Sequence, residues 1–201
     1  WKAMVADEAA RTTFAKNIKT VLEKNKLDGI DLDFEWAENE KEYKDYSLAI
    51  LKMREVLGDK YLFSVSLHPV CYKISKEAIE AVDFISLQCY GPSPVRFPIE
   101  KYCSDIQMVL EYGIPKEKLV AGVPFYGVTK DNSKKTEAYF NFVQNGLVTS
   151  PAQNEVIYQG DTYVFDGQDN IRIKTRYAKE QKLKGMMSWD LATDLPLSDS
   201  R

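Results

Sequence analysis

Apolar positions recur along this chain in two periods that alternate with one another. From Asp7 to Lys26, Phe14, Ile18, Val21 and Leu22 fall at helical spacing, with Asp7 placed to cap the first turn. Ile30 to Phe34 then switches to strict alternation of apolar and acidic residues, the period of a β-strand. Helical spacing returns over about Glu40 to Leu57, where Tyr43, Tyr46, Ile50, Met53 and Leu57 share a face and Gly58-Asp59 ends the run. Tyr61 to Leu67 reads as a buried strand, His68-Pro69 as a loop, Ser75 to Ala81 as a short helix and Phe84 to Tyr90 as the next strand. After the loop signal Gly91-Pro92-Ser93-Pro94, a helix is expected over Ile99 to Tyr112, stopped by Gly113 and Pro115. Leu119 to Phe125 is a further strand, Ile171 to Leu183 the last full helix, and Gly185 to Trp189 the final strand.

Strands that alternate with helices and read as nearly continuous apolar runs predict an α/β fold, a parallel sheet wrapped by helices. The strand units end in Glu35, His68, Tyr90, Phe125 and Trp189. Between Tyr126 and Ile171 the chain is too long for a tight connection. There Val156-Ile157-Tyr158 and Tyr163-Val164-Phe165 flank Gln159-Gly160-Asp161-Thr162, a hairpin signal. The expectation is one domain over 1–201 with an insertion at about 127–170. No internal repeat, low-complexity tract or interdomain linker interrupts it.

The alternating stretch carries the candidate chemistry. Residues two apart on a strand share a face, so Asp31, Asp33 and Glu35 project one way, and Ile30, Leu32 and Phe34 the other. Neighbouring carboxylates in that row stand about 6–7 Å apart, twice the strand rise. Crowding of this kind disfavours ionising all three. A protonated carboxyl beside an ionised one is the pair that acid catalysis at a glycosidic oxygen requires, so the row is expected to face a sugar-sized pocket. Two other readings fit an acid row: a wet amphipathic edge strand, and a site for a hard cation. Like charges side by side argue against the first. The lack of an Asp/Asn-Gly calcium-loop pattern and the presence of a single His argue against the second.

Composition narrows the classes further. The chain has 201 residues, 44% hydrophobic and 28% charged, as ordinary globular domains do. A net charge of −3 supplies no basic footprint, so neither nucleic acid nor an anionic membrane is an expected partner. No run approaches the ~20 apolar residues of a membrane span. Twelve Tyr suit a sugar-binding cleft, whose walls use aromatic faces, although Tyr is also an everyday core residue. Cys71, Cys89 and Cys103, odd in number and without C-x-x-C spacing, argue against a disulfide framework and against zinc; buried free thiols are expected. The chain shows no signal-peptide pattern, and Trp1 is an odd native start, so a processed chain or a piece of a longer one is expected.

The stretch Asp28-Gly29-Ile30-Asp31-Leu32-Asp33-Phe34-Glu35 reads D-x-x-D-x-D-x-E and resembles the signature of glycoside hydrolase family 18, the chitinases and endo-β-N-acetylglucosaminidases. Gly122-Val123-Pro124-Phe125-Tyr126-Gly127 and Met187-Ser188-Trp189-Asp190 resemble family text too. The resemblance implies a (β/α)8 barrel of the TIM type in which Asp31–Glu35 belongs to the fourth strand. The chain then supplies about five βα units, and the first three strands come from elsewhere, as from the rest of a longer chain. The insertion, at about forty residues, is reduced relative to many chitinases.

The implied activity is retaining, substrate-assisted hydrolysis of β-1,4 links next to N-acetylglucosamine, in which the substrate's acetamido oxygen attacks the anomeric carbon. Glu35 resembles the general acid, Asp33 the residue that orients the acetamido group, and Asp31 the deeper partner that shares a proton with Asp33. Asp28 is implied to be structural, binding backbone amides at the Asp-Gly turn. Tyr90 matches the tyrosine that hydrogen-bonds the acetamido group, preceded by Gln88 where chitinases of the M-x-Y-D pattern have Met. Gly91 stands where many relatives place a sugar-contacting Asp. Trp189 matches the indole floor under the cleaved sugar; Tyr126 and Trp36 are further cleft candidates. His68 is left outside the catalytic set. No cofactor or metal is implied, the partner is an N-acetylglucosamine-containing oligo- or polysaccharide, and a secreted or periplasmic location follows from the family. A non-catalytic sugar-binding relative is the alternative.

Overall fold

The computed structural model describes residues 1–195. In chain order the elements are α1 (Lys2–Ala6), α2 (Glu8–Asn25), β1 (Gly29–Asp33), α3 (Glu40–Leu57), β2 (Leu62–Leu67), α4 (Lys76–Ala81), β3 (Phe84–Leu87), α5 (Ile99–Tyr112), β4 (Leu119–Pro124), β5 (Tyr126–Thr129), β6 (Thr136–Ala138), α6 (Tyr139–Gln144), β7 (Glu155–Tyr158), β8 (Asp161–Val164), α7 (Gln168–Glu180) and β9 (Gly185–Trp189). They fall into two compact units, one of residues 1–87 with 109–119, the other of 88–108 with 120–195.

In the first unit β1, β2 and β3 are parallel, in that order, each reached through a helix. The helices start where the sequence supplies caps. Asp7 accepts from the Ala10 amide, Asn39 from Glu42 and Ser75 from Ala78, each satisfying a donor the first turn leaves open. Tyr46, Ile50, Met53 and Leu57 of α3 are buried, as their spacing requires. They form the core with Phe63, Val65 and Leu67 of β2 and Ile85 and Leu87 of β3. The Tyr46 hydroxyl, which burial alone would strand, donates to the Leu32 carbonyl at 3.0 Å. Arg54 ties the helix to the loops, donating to the carbonyls of Gly58, Tyr61 and Ala81 and to the Asp83 carboxylate at 2.7 Å.

Gly29 pairs with Leu62. A Cβ on residue 29 would lie 2.1 Å from the Leu62 carbonyl oxygen, so that position accepts glycine alone without a shift of backbone.

The second unit holds the parallel pair β4 and β9, in register from Val120 opposite Gly185 to Pro124 opposite Trp189. It also holds an antiparallel sheet in the order β6-β5-β8-β7. The hairpin signal is realised between β7 and β8. Its loop is Gln159-Gly160, both at positive φ (50° and 88°), as a tight two-residue connection demands. Phe142, Phe165, Tyr139, Tyr163 and Val156 form a buried cluster in this unit, with the rings of Phe142, Phe165, Tyr139 and Tyr163 tilted against one another. Lys174 on α7 is fully buried and donates to Asp166 at 2.6 Å, both side chains being 0% exposed. Its ammonium also lies 5.4 Å from the Tyr102 ring centroid, and Asn170 donates to the other Asp166 oxygen.

The five parallel strands, each entered through a helix, are the βα units of a partial (β/α)8-type barrel. Boundaries differ from expectation at informative places. β3 stops at Leu87, so Gln88 and Tyr90 follow the strand instead of closing it. α7 begins at Gln168, not Ile171, because its first turn is polar and carries no apolar period. The segment Lys2–Ala6, β5, β6 and α6 have no strong periodic signal and appear only in the structure. All three cysteines are free thiols; Cys71 and Cys89 are buried and Cys103 is partly so. Among the described residues, no helix is long and apolar enough to cross a membrane.

Candidate active site

On β1 the alternation in sequence becomes alternation in burial. Leu32 and Phe34 are 3% and 2% exposed, while Asp31, Asp33 and Glu35 are all exposed. The acids therefore share an open face, accessible to solvent and not enclosed within their unit. Ladder pairing ends at Asp33 opposite Ser66, so Glu35 lies two residues past the strand and not at its last position. The side-chain alternation continues that far.

Asp31 is gripped from β2. Ser64 donates to one carboxylate oxygen at 2.5 Å and Ser66 to the other at 2.7 Å. Under the strand, the Tyr46 phenol is raised well above its ordinary pKa, first by burial and then by the charges of Asp31 and Asp33. Asp28 is exposed and acts through its main chain: its carbonyl accepts from the Leu62 amide at 2.9 Å, in place of the carboxylate-to-amide contact that the resemblance implies.

Beyond Glu35 the chain is fastened to the turn after β2. The Glu35–Trp36 peptide is cis. The Trp36 ring meets His68 edge-on at 4.7 Å, and the Ala37 amide donates to Cys71 Sγ at 3.2 Å. His68 Nδ1 accepts from the Val70 amide. Burial pushes the Cys71 thiol up, against the pull of the Ala37 amide and the Tyr43 hydroxyl. His68 is thus a packing partner of Trp36.

In the second unit, Tyr90 is 6% exposed and its hydroxyl approaches Met187 Sδ at 3.6 Å. Its ring stands edge-on to Tyr126 at 6.4 Å, and Tyr126 packs likewise on Phe97. The Tyr126 phenol is pushed up to about 12, chiefly by burial and further by the Asp166 charge, with the Gly91 amide acting the other way. Gln88 is buried at 9%. Trp189 closes β9 with its side chain 56% exposed, so an aromatic surface is open there, and the Trp189–Asp190 peptide is the second cis bond.

Ser64 and Ser66 are not singled out from sequence, and Cys71 is read there only as a buried free thiol. The serines carried a readable signal. In Phe63-Ser64-Val65-Ser66-Leu67 they alternate with core residues at the same period as the acids.

Helices wrapping parallel strands, with an acid row on one strand's exposed face, define part of a TIM-type barrel. A sequence model of the family described as Glycosyl hydrolases family 18 matches residues 1–194. The chain belongs to that family. Probable chitinase 2 of Drosophila melanogaster is 23% identical over 258 aligned positions, which take in 96% of this chain and 53% of that protein. The chain thus spans about half the length of that relative. The crystal structure of the GH18 chitinase ChiB of Flavobacterium johnsoniae superposes with a TM-score of 0.79 at 28% identity, covering 96% of this chain and 64% of that one. The chitinase-like agglutinin of Robinia pseudoacacia shares the fold with a TM-score of 0.81 at 19% identity, covering 96% of this chain and 72% of that one.

Proposed function

We propose that the protein of which this chain is part hydrolyses β-1,4 links adjoining N-acetylglucosamine, with chitin or chito-oligosaccharide as substrate. The observation that carries the reading is the complete acid row on an exposed strand face in a member of family 18. Glu35 is the general acid, placed past the end of the ladder where a donor to incoming substrate belongs. Asp33 orients the acetamido group, whose oxygen is the nucleophile, and Asp31 is the deeper partner that shares a proton with Asp33. Tyr90 hydrogen-bonds the acetamido group, and Gln88, Tyr126 and Trp36 contribute to substrate binding. The exposed Trp189 indole stacks on a pyranose ring. The remaining strands of the barrel come from the rest of a longer chain, and the protein acts outside the cytoplasm. The chemistry needs no cofactor, because the substrate supplies the nucleophile.

Glu35→Gln in the full-length protein is the test. Release of a chromophore from a chitobioside should be abolished while oligosaccharide binding persists. Turnover at the wild-type rate would remove Glu35 from its role.

Gly91, standing where many relatives carry a sugar-contacting Asp, favours a second reading: a sugar-binding protein without turnover. Incubating chito-oligosaccharide with the wild-type protein separates the two. Shortened products support the enzyme, and binding without products supports the lectin.

A further inference from the structure

A groove lies on the helical side of the first unit, and no member of the acid row lines it. Its volume is about 580 Å³, within the range of small-ligand sites. α4 has only six residues, and the irregular stretch from Tyr72 to Ser75 ahead of it leaves a flank of α3 uncovered. Glu40, Lys44, Leu48 and Leu51 therefore line one wall at helical spacing, over roughly 16 Å at 1.5 Å per residue. Tyr43 of the same helix joins them, and Lys73, Glu77 and Tyr112 line the other side. The walls are tied to each other. The Ser47 hydroxyl donates to the Tyr43 carbonyl at 2.7 Å and accepts from the Ser75 amide at 2.8 Å. The Tyr112 hydroxyl donates to the Ile74 carbonyl at 3.0 Å, and its ring meets Tyr72 edge-on at 5.2 Å. The Tyr43 hydroxyl reaches the Val70 carbonyl at 3.4 Å, two residues past His68. Both rings are therefore held in place before any ligand arrives.

What the groove can hold follows from its lining. Tyr112 and Leu48 are 41% and 37% exposed, so aromatic and aliphatic surface is open there. Burial raises the Tyr43 and Tyr112 phenols, and Cys71 beside the one and Tyr72 beside the other raise them further, so both stay uncharged near neutral pH. Two lysines and two glutamates balance, which leaves no net sign to select an ion. They supply donors and acceptors alike. A pyranose has the matching chemistry: no charge, an apolar ring face for a tyrosine, and hydroxyls around its edge. We propose that this groove is a second carbohydrate site, holding a stretch of N-acetylglucosamine oligosaccharide while the acid row acts on another. The ligand class rests on the hydrolase reading above, and the site goes beyond it. Tyr43 and Tyr112 stack on sugar rings, and the lysines and glutamates bond to hydroxyl and acetamido groups. A polymer held at two places leaves less readily than one held at one.

The test uses the full-length protein and measures adsorption to insoluble chitin beside turnover of a soluble chromogenic chitobioside. Tyr112→Ala removes a stacking face, and Leu48→Glu obstructs the groove without the loss of a hydrogen bond. Each should weaken adsorption at least about fivefold and leave chitobioside turnover within about twofold of wild type. Tyr112→Phe keeps the ring and should adsorb as wild type does. A crystal soaked with chitotetraose should show sugar against Tyr43 and Tyr112. Unchanged adsorption in either groove variant, turnover lost in step with adsorption, or a Tyr112→Phe variant as impaired as Tyr112→Ala would each overturn the site. So would a groove filled by another part of the full-length chain. Glu35→Gln keeps the two levels apart. If it is inactive while the groove variants adsorb normally, the site fails and the hydrolase stands. If it turns over normally while the groove variants lose adsorption, the catalytic assignment fails and the site stands.

Discussion

Lys174→Met removes the cation of a pair that has no contact with solvent. The pair's attraction at 2.6 Å, taken with an effective dielectric constant of about 20, is roughly 6 kcal/mol. Desolvation of the ammonium, which the variant no longer has to bear, offsets part of that. The net cost of leaving the carboxylate behind is then about 3–5 kcal/mol, the usual range for half of a buried pair. Burial already pushes Asp166 above the ordinary carboxylate range, against the pull of Lys174 and Asn170. Without Lys174 that upward push is opposed by Asn170 alone.

A folded-state value above the unfolded one means that the native protein binds the extra proton. The stability linked to that proton is present at low pH and is lost as pH rises through the raised value. Urea unfolding of wild type, Lys174→Met and Asp166→Asn/Lys174→Met, at about pH 8 and about pH 5, reads this out. The single variant should lose the larger amount at the higher pH. The double variant, which retains no buried charge, should recover about half of the loss or more. A single-variant loss below about 1 kcal/mol, a larger loss at the lower pH, or a double variant worse than the single would refute the reasoning.

Two further outcomes follow from the first unit. Gly29→Ala drives a Cβ against the Leu62 carbonyl at 2.1 Å and should cost several kcal/mol, about 3 or more, in chemical denaturation; a variant within about 0.5 kcal/mol of wild type would show that β1 and β2 part easily. Burial pushes Asp83 up, yet the Phe63 amide and the Arg54 guanidinium outweigh it and hold the carboxyl below its usual value. Its contribution to stability is present above the unfolded carboxylate's value and is lost as pH falls through the lower folded one. Thermal scans on acidification should therefore show a steeper decline for wild type than for Arg54→Met, and parallel declines would contradict it.

The sequence made the βα alternation legible because the helices carry long apolar faces and the strands are short apolar runs between turn residues. α3 is the clearest case: Asn39 opens it, Gly58 closes it, and Tyr46, Ile50, Met53 and Leu57 lie between. The acid row was legible for the same reason, since a period of two assigns faces without any knowledge of neighbours. What escaped depends on partners distant in the chain. Ser64 and Ser66 matter only through the β1–β2 register. Cys71 matters because Ala37, 34 residues earlier, points its amide at the sulfur. Lys174 reads as one more solvated helix lysine until Asp166 and Tyr102 are seen to enclose it. β5 and β6 are four and three residues long, too brief for a periodic signal, and pair across a loop of polar residues.

The close approach at Gly29 separates two kinds of information inside a single signature. That glycine answers to the neighbouring strand's carbonyl, and any descendant that keeps this strand pairing must retain it whatever its function. The carboxyl at position 35 lies beyond the ladder and carries no such obligation. Within the signature, then, the glycine testifies to shared architecture, and the carboxyl at position 35 is not held in place by that strand pairing.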